Sequence, residues 1–221
     1  MEPDSHLRQS SAKQPNSFGA YSQVAPATSD RNTIQNALGW CLKPWHQLPV
    51  AGFDCGDGDL NDYFSKDAIE ARDLMTCETF ALTHWDIPDA AVGLVSVCND
   101  VVEVKKLRFF PQFKNTPEAK LTYREWPAVK IARLAVRREV QGKNIGTHMI
   151  NLLKTLFVTE NRTGCRIITV DAYNKPPVLR FYERNQFQFL TEKDKHKNSR
   201  SMWFDLLPWR NSLNQATTPR E

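Results

Sequence analysis

Long apolar runs, paired cysteines and a strong charge imbalance are all missing from this 221-residue sequence. No stretch reaches the roughly 18 apolar residues of a membrane-spanning helix, and the N-terminus lacks the basic-then-apolar pattern of a signal peptide. The five cysteines are scattered and form no Cys-x-x-Cys pair, which is typical of reduced cytoplasmic thiols. A formal net charge of +4 is too small to indicate a nucleic-acid binder by itself. We therefore expect a cytoplasmic protein that holds no metal and enters no membrane.

What the sequence does contain is enough apolar material for one folded domain, with 41% hydrophobic and 10% aromatic residues. Residues 1–38 are rich in Ser, Gln, Asn and Pro and poor in large apolar groups, so we expect a disordered N-terminal extension. The folded domain is predicted at residues 39–208. Residues 209–221 are predicted to be a polar tail that frays.

Hydrophobic periodicity predicts a mixed α/β order of elements. A helix near residue 60 follows a turn at Gly56 and Gly58, with Asp57 or Asp59 as its N-cap. Strands are predicted at residues 79–85, 91–98, 128–136 and 165–172, and a closing pair at 187–190 and 201–207. A helix over residues 148–158 follows the third strand, and another begins after Asn174, which suits an N-cap.

The central stretch, residues 133–147, is typical of a strand that feeds a helix through a small-residue loop. Such a loop leaves backbone N–H groups unpaired at the positive end of the helix dipole. These donors favour an anionic group such as a phosphate. The pattern alone is common, and the residues that follow make it more specific.

The connection over residues 104–124 is basic and contains two prolines. It reads either as a solvated surface loop or as a basic lip that contacts an anionic substrate such as RNA. Its charged residues are Lys105, Lys106, Arg108, Lys114, Glu118, Lys120 and Arg124.

Three segments together resemble the GNAT superfamily of acyl-CoA-dependent N-acetyltransferases, namely residues 131–147, 169–174 and 179–187. The resemblance extends over roughly residues 53–207. Residues 53–64 are similar to a bacterial branch related to the acetyltransferase toxins that block translation by acetylating charged tRNA. The resemblance implies a central, mostly antiparallel twisted sheet flanked by helices, with a splayed strand pair at the acyl-CoA site.

By this resemblance, the chain binds acetyl-CoA as acyl donor through its backbone. The main chain of Leu134, Ala135 and Val136 pairs with the pantetheine arm, and Asn174 contacts the same region. The pyrophosphate is held by the N–H groups of Gln141, Gly142, Lys143, Asn144, Ile145, Gly146 and Thr147. Asn144 replaces the middle glycine of the family's Gln/Arg-x-x-Gly-x-Gly/Ala loop. Because asparagine tolerates positive φ, the loop can keep its shape, although a weaker site is the other possibility.

The resemblance also places Tyr182 where the family has the tyrosine that protonates the departing coenzyme A thiolate. Periodicity alone would read Tyr182 as a core aromatic, and Phe181 as packing. His148 is a weaker candidate for a base than for helix packing. The resemblance assigns no general base, because the strand at 129–136 has no carboxylate. Glu103 and Glu125 are candidates for this role. A water relay or a site that needs no base are the alternatives.

These observations predict an N-acetyltransferase that moves an acetyl group from acetyl-CoA to a primary amine by direct attack. Two acceptors stay open: an aminoacyl-tRNA, contacted through basic residues 105–124, and a small-molecule or protein amine. A homodimer is possible. The alternative is a non-catalytic acyl-CoA- or RNA-binding module on a degenerate fold of the same kind.

Overall fold

One eight-stranded sheet organises the computed structural model, which describes residues 33–47, 52–107, 110–113, 123–159, 161 and 164–217. Its strands are β1 (Ile34–Gln35), β2 (Trp40–Pro44), β3 (Glu78–His84), β4 (Gly93–Glu103), β5 (Glu125–Val136), β6 (Ile167–Tyr173), β7 (Gln188–Phe189) and β8 (Ser199–Asp205). Their spatial order is β1-β2-β3-β4-β5-β6-β8-β7. β5 and β6 run parallel, and the other described neighbours are antiparallel. The predicted mixed, mostly antiparallel sheet is confirmed.

The described helices are α1 (Gly58–Asp62), α2 (Ala68–Asp73), α3 (Val104–Leu107), α4 (Ile145–Thr159), α5 (Pro176–Arg184) and α6 (Leu206–Thr217), with the π-helical turn Tyr63–Asp67 between α1 and α2. The three predicted helices are present in the predicted order, and two further helices, α3 and α6, were not predicted. Asp57 is the N-cap of α1, and its side chain accepts a hydrogen bond from Leu60 N at 3.2 Å. No helix within the described ranges has the length and apolar content needed to cross a bilayer.

One face of the sheet packs against α4. Val129 and Ile131 of β5 point to this face, because alternate residues of a strand share a side. They belong to one buried cluster with Met149, Ile150 and Leu153 of α4. This cluster fixes α4 beneath the centre of the sheet, so the N-terminal end of the helix has a defined place relative to β5.

The opposite face is covered by two separate groups. Phe64 of the π-helical turn and Ala68 of α2 form one buried cluster with the sheet. Leu107 and Phe113 pack against Trp203 in another. At the start of the basic connection, α3 therefore packs Leu107 on the sheet while Lys105 stays exposed, so the structure leaves both predicted alternatives, a solvated loop and a basic lip, open. Residues 108–109 and 114–122 of this connection lie outside the described residues.

Both ends of the predicted domain differ from expectation. β1 lies inside the segment expected to be disordered, and its Ile34 pairs with Leu42 of β2. Residues 1–32 lie outside the described part of the chain. The expected fraying tail instead forms α6, whose Trp209 Nε1 donates to Thr155 Oγ1 of α4 at 3.2 Å. A tail that is polar overall becomes helical because this one large aromatic residue docks on α4.

Candidate active site

β5 and β6 diverge after only four paired residues. The pairing runs from Ala128↔Ile167 to Ile131↔Val170 and then stops. β5 continues to Val136 with β4 as its partner, and β6 continues to Tyr173 with β8 as its partner. The edge of β5 over residues 132–136 therefore has no strand beside it among the described residues. The backbone groups without a partner on this edge can pair with an extended ligand; Ala132 O and Val136 O already accept one bond each, from the side chains of Arg133 and Gln141.

A β-bulge in β5 lies at the point of divergence. The register changes from Val97↔Ile131 to Ser96↔Arg133, so Ala132 has no partner on β4. An extra residue in one strand bends it and reverses the side to which later residues point. This explains why Ile131 faces α4 whereas Arg133 faces the α1–α2 side. The bulge thus turns β5 away from β6 and opens the gap between them.

The loop between β5 and α4 is built to leave N–H groups free. Gly142 and Asn144 have φ values of 77° and 60°, so Asn144 adopts the positive φ that the sequence reading regarded as tolerable for asparagine. Asn144 O accepts the first bonds of α4, from Thr147 N at 3.0 Å and His148 N at 3.1 Å. The backbone N–H groups of residues 142–146 donate to no acceptor in the described chain. Together with the dipole of the 15-residue α4, they form a site that favours an anion.

Gln141 holds this loop in place through its side chain. Its Nε2 donates to Val136 O at 2.9 Å and to Cys55 O at 2.7 Å. Arg137 adds a bond from one terminal nitrogen to Gly52 O at 2.8 Å. The loop is therefore fastened both to the end of β5 and to the segment that precedes α1. The side chain of Gln141 is committed to this structural role, and its backbone N–H donates to Arg138 O at 3.3 Å.

The first turn of α4 touches α5 through a glycine. A Cβ atom added at Gly146 would lie 2.9 Å from one ring carbon of Phe181 and 3.1 Å from another. Because real Cβ atoms do not approach so closely, a residue without a side chain is needed here. Phe181 is thus a packing residue, as expected from the sequence. The contact brings α5 beside the free N–H groups of the loop.

Tyr182 on α5 is 6% exposed and belongs to the cluster beneath the sheet. Its ring packs edge-to-face against Phe181 and Phe187, with centroid distances of 5.0 and 5.4 Å. Burial raises the pKa of the phenol, so the hydroxyl stays protonated at neutral pH. No hydrogen bond joins the hydroxyl oxygen to another described residue, and it is not among the enclosed polar atoms of the described residues that lack a partner. A protonated donor is therefore available to an incoming molecule.

Asn174 has a different local role from the one predicted. The N-cap of α5 is Lys175, and prolines occupy the first turn. Asn174 Nδ2 instead donates to Lys195 O at 2.9 Å and to Lys197 O at 2.8 Å. The prediction of an N-cap is wrong because these two carbonyls hold the amide at the end of β6. The amide oxygen stays free of bonds to described residues, so the predicted ligand contact remains a prediction.

The two glutamates proposed as bases lie far from the gap. Glu103 of β4 and Glu125 of β5 are neighbours in the strand register, at the end of these strands that lies away from the gap. Six residues separate Glu125 from Ile131, which is about 20 Å along a strand. Hydrogen bonds from Lys105 and Lys106 lower the pKa of Glu103 to about 2. Both are therefore poorly placed to accept a proton from a group in the gap.

Asp171 is a carboxylate that the sequence reading missed. It follows Val170, the last residue of β6 paired with β5, and points to the face opposite α4. Ser201 Oγ donates to Asp171 Oδ1 at 2.8 Å, and Lys130 forms an ion pair with the other oxygen. Burial opposes ionisation, but the bonds from Lys130 and Ser201 lower the pKa of Asp171. An acidic residue within an otherwise apolar strand was the available signal.

His148 packs rather than acting at the gap. It lies in the first turn of α4, and its ring stacks on Trp40 of β2 at a centroid distance of 5.4 Å and an interplanar angle of 19°. No group of three or more His, Cys, Asp or Glu side chains among the described residues is arranged to hold a metal ion. The gap, the loop and Tyr182 remain as the candidate site.

Comparison with known proteins agrees with this geometry. The model of the acetyltransferase (GNAT) family matches residues 64–187, more than half of the chain. The fold is similar to AtaT in complex with acetyl-methionyl-tRNAfMet, with a TM-score of 0.63 and 17% identity over 81% of this chain and 99% of that one. It is also similar to a tyrosine-to-phenylalanine mutant of KacT, with a TM-score of 0.62 and 21% identity over 80% and 99% of the two chains. AtaTR bound with acetyl-CoA gives a TM-score of 0.57 and 16% identity over 81% and 99%.

Proposed function

The chain belongs to the GNAT acetyltransferase family, and from this premise we propose that it transfers an acetyl group from acetyl-CoA to a primary amine. The attack is direct, in a complex that holds donor and acceptor together, and Tyr182 acts as the general acid. The proposal rests on three features: the open edge of β5, the free N–H groups before α4, and the protonated phenol of α5, a helix that the Gly146–Phe181 contact places beside the loop.

The donor site uses backbone groups. Residues 134–136 offer the unpaired edge of β5 to the amide groups of the pantetheine arm, as a further strand would. Within residues 141–147, the free N–H groups of residues 142–146 and the dipole of α4 are offered to the pyrophosphate, since Gln141 N and Thr147 N already donate to Arg138 O and Asn144 O. The carbonyl of Val136 already accepts a bond from Gln141, so its remaining lone pair serves the donor. Acetyl-CoA supplies the activated thioester, and no metal is required.

In the chemical step the departing sulfur gains one proton and the attacking nitrogen loses one. The acceptor nitrogen forms a bond to the acetyl carbonyl carbon while the carbon–sulfur bond breaks. Tyr182 gives its proton to the departing sulfur, and the attacking nitrogen loses a proton to solvent. Asp171 keeps its negative charge at neutral pH and lies at the end of the gap. It is suited to accept a hydrogen bond from the neutral acceptor amine, whereas its lowered pKa makes it a weak base.

For the acceptor, an aminoacyl-tRNA is favoured over a small amine. Three exposed cations lie on β5, in the loop and before α5, namely Arg133, Lys143 and Lys175, whereas the neighbouring Arg138 is paired with Asp54. Such a surface attracts phosphates. Lys105 and Lys106 of the predicted basic lip are paired with Glu103, so they contribute less free charge. AtaT was captured with an acetylated methionyl-tRNA, and AtaTR with acetyl-CoA, which supports testing charged tRNA first.

The deciding experiment incubates the full chain with radiolabelled acetyl-CoA and four acceptors: charged tRNA, uncharged tRNA, a lysine-rich protein and a small primary amine. We expect label in charged tRNA alone, at the α-amino group, because uncharged tRNA has no such amine. Label found only in the protein or only in the small amine would contradict the proposal that charged tRNA is the acceptor. Calorimetric binding of acetyl-CoA without transfer to any acceptor would favour the non-catalytic module.

The conformation of Asn144 gives a test of the donor site. Its φ of 60° is easy for glycine and costly for a β-branched residue. Asn144→Gly is expected to leave the acetyl-CoA Kd within about twofold, and Asn144→Val to raise it about tenfold. Isothermal titration calorimetry measures both. The exposed neighbour Glu139→Ala is the control, and unaltered binding by the valine variant would contradict the expected loop geometry.

A further inference from the structure

Lys154 of α4 is buried in the core and 1% exposed. Lysine is rarely buried completely unless its ammonium is paired. The described carboxylates form no ion pair with it; its Nζ lies 3.7 Å from the ring centre of Phe204, 5.1 Å from Trp209 and 5.6 Å from Phe187. Aromatic faces attract a cation and so offset part of the loss of water. The lysine occupies a place where an apolar residue would be easier to bury.

The ammonium makes one directional bond, to the end of α5. Lys154 Nζ donates to Asn185 O at 2.7 Å, and Asn185 is the C-cap of that helix. Carbonyl groups at a helix C-terminus lack partners within the helix and carry the negative end of its dipole. A buried cation at this carbonyl therefore stabilises the helix end. Burial lowers the pKa of Lys154 to about 8, so the group is still charged at neutral pH.

The cap that Lys154 completes involves the backbone of Tyr182. Phe187 N donates to Tyr182 O at 3.0 Å, and Gln186 N donates to Glu183 O at 2.8 Å, which is the bond pattern of a Schellman motif. Gln186 has a φ of 67°, in a place where glycine is preferred. The turn is thus strained, and its stability depends on outside contacts. The ring of Phe187 touches both Lys154 and Tyr182.

We propose that Lys154 is a positioning residue for Tyr182: its ammonium holds the strained C-terminal cap of α5 and thereby fixes the phenol against the gap. This inference rests on the proposed role of Tyr182 as general acid. Under this inference α4 serves both parts of the proposed site. Its first turn binds acetyl-CoA, and Lys154, later in the same helix, fixes the position of the Tyr182 hydroxyl.

A double-mutant cycle tests the inference in the full chain. Lys154→Met keeps the length of the side chain and removes the charge. We expect it to lower kcat about tenfold and to leave the KM for acetyl-CoA within about twofold, because a small displacement of a catalytic group affects the chemical step. In a Tyr182→Phe background, the same substitution is expected to change kcat less than twofold, since the group it positions is gone.

Two further variants separate positioning from general stability. Gln186→Gly removes the strain of the turn and should restore most of the kcat lost by Lys154→Met. Leu156→Ala, at another buried position of α4, should weaken the fold without this rescue. If Lys154→Met lowers kcat equally with and without the Tyr182 hydroxyl, or if Gln186→Gly restores nothing, the inference is overturned.

A spectroscopic readout keeps the test independent of activity. With tyrosine labelled at the carbon that bears the hydroxyl, the Tyr182 signal should shift or broaden in Lys154→Met, while the exposed Tyr173 signal stays unchanged. If the native chain transfers no acetyl group, the proposed function fails. The Tyr182 spectrum then tests by itself whether Lys154 positions the Tyr182 ring. An unaltered Tyr182 signal would refute the positioning role.

Discussion

Replacing Tyr182 with phenylalanine is expected to lower kcat for acetyl transfer by about 10²- to 10⁴-fold, the usual contribution of a general acid. The affinity for acetyl-CoA should change less than about threefold. The ring fills a buried site between Phe181 and Phe187, and phenylalanine fills it equally well. Only the hydroxyl is lost, and it has no hydrogen bond within the described chain. Steady-state kinetics and calorimetry measure the two effects separately.

The pH dependence gives the same test a second readout. Burial raises the pKa of Tyr182 above its ordinary value of 10.0. The acid is therefore present throughout the neutral range and is lost only as the pH rises beyond about 10. An alkaline decline of kcat that begins near pH 8 would belong to another group. Tyr173→Phe is the control, since Tyr173 is 46% exposed; unchanged kcat in Tyr182→Phe would remove the assigned role.

The strand–loop–helix unit could be predicted because its signals are local. The β-branched run of β5, the small residues before α4 and the apolar spacing of α4 all lie within one window of sequence. The positive φ of Asn144 agrees with the tolerance of asparagine for that conformation. These elements need few distant contacts to specify their shape, so the strand, the loop and the helix were accessible from the sequence, while the assignment of their N–H groups to acetyl-CoA stays a prediction.

The remaining features depend on partners that are distant along the chain. The bulge at Ala132 arises from the fit between β4 and β5, and no local signal marks it. Asn174 was given the wrong local role because the carbonyls that hold it come from a loop about twenty residues later. α6 was missed because Trp209 docks on α4 despite a polar sequence around it. Tertiary contacts decided each of these cases.

The acceptor half of the site is the least local part. Asp171 is recognised as a site residue only once the structure shows that the pairing of β5 and β6 ends beside it. The side chains of Ser201 and Lys130 contact it from the two neighbouring strands. The similar solved structures share at most 21% identity among those compared, so they inform the fold and leave the acceptor to experiment. The charge and position of Asp171 are the structural facts from which acceptor preference can be tested.

Gly146→Val is the second substitution with a large expected effect. The valine side chain would overlap the ring of Phe181. That ring already packs against the ring of Tyr182, with the two centroids 5.0 Å apart. Relief requires the first turn of α4 to move away from α5, and this turn carries the N–H groups that we assign to the pyrophosphate. Overpacking of this kind costs about 1–3 kcal/mol. We expect the Kd for acetyl-CoA to rise about 10- to 100-fold, with a measurable loss of thermal stability.

The control and the rescue both follow from the space around each glycine. A Cβ at Gly58 meets nothing within 4 Å, so Gly58→Ala should bind acetyl-CoA normally. Combining Gly146→Ala with Phe181→Leu should bind better than Gly146→Ala alone, because the smaller side chain leaves room for the methyl group. If Gly146→Val binds acetyl-CoA as the native chain does, the first turn of α4 is not the anion site, and the donor must lie elsewhere. If binding is lost without rescue by Phe181→Leu, the close approach of α4 to α5 is not the cause.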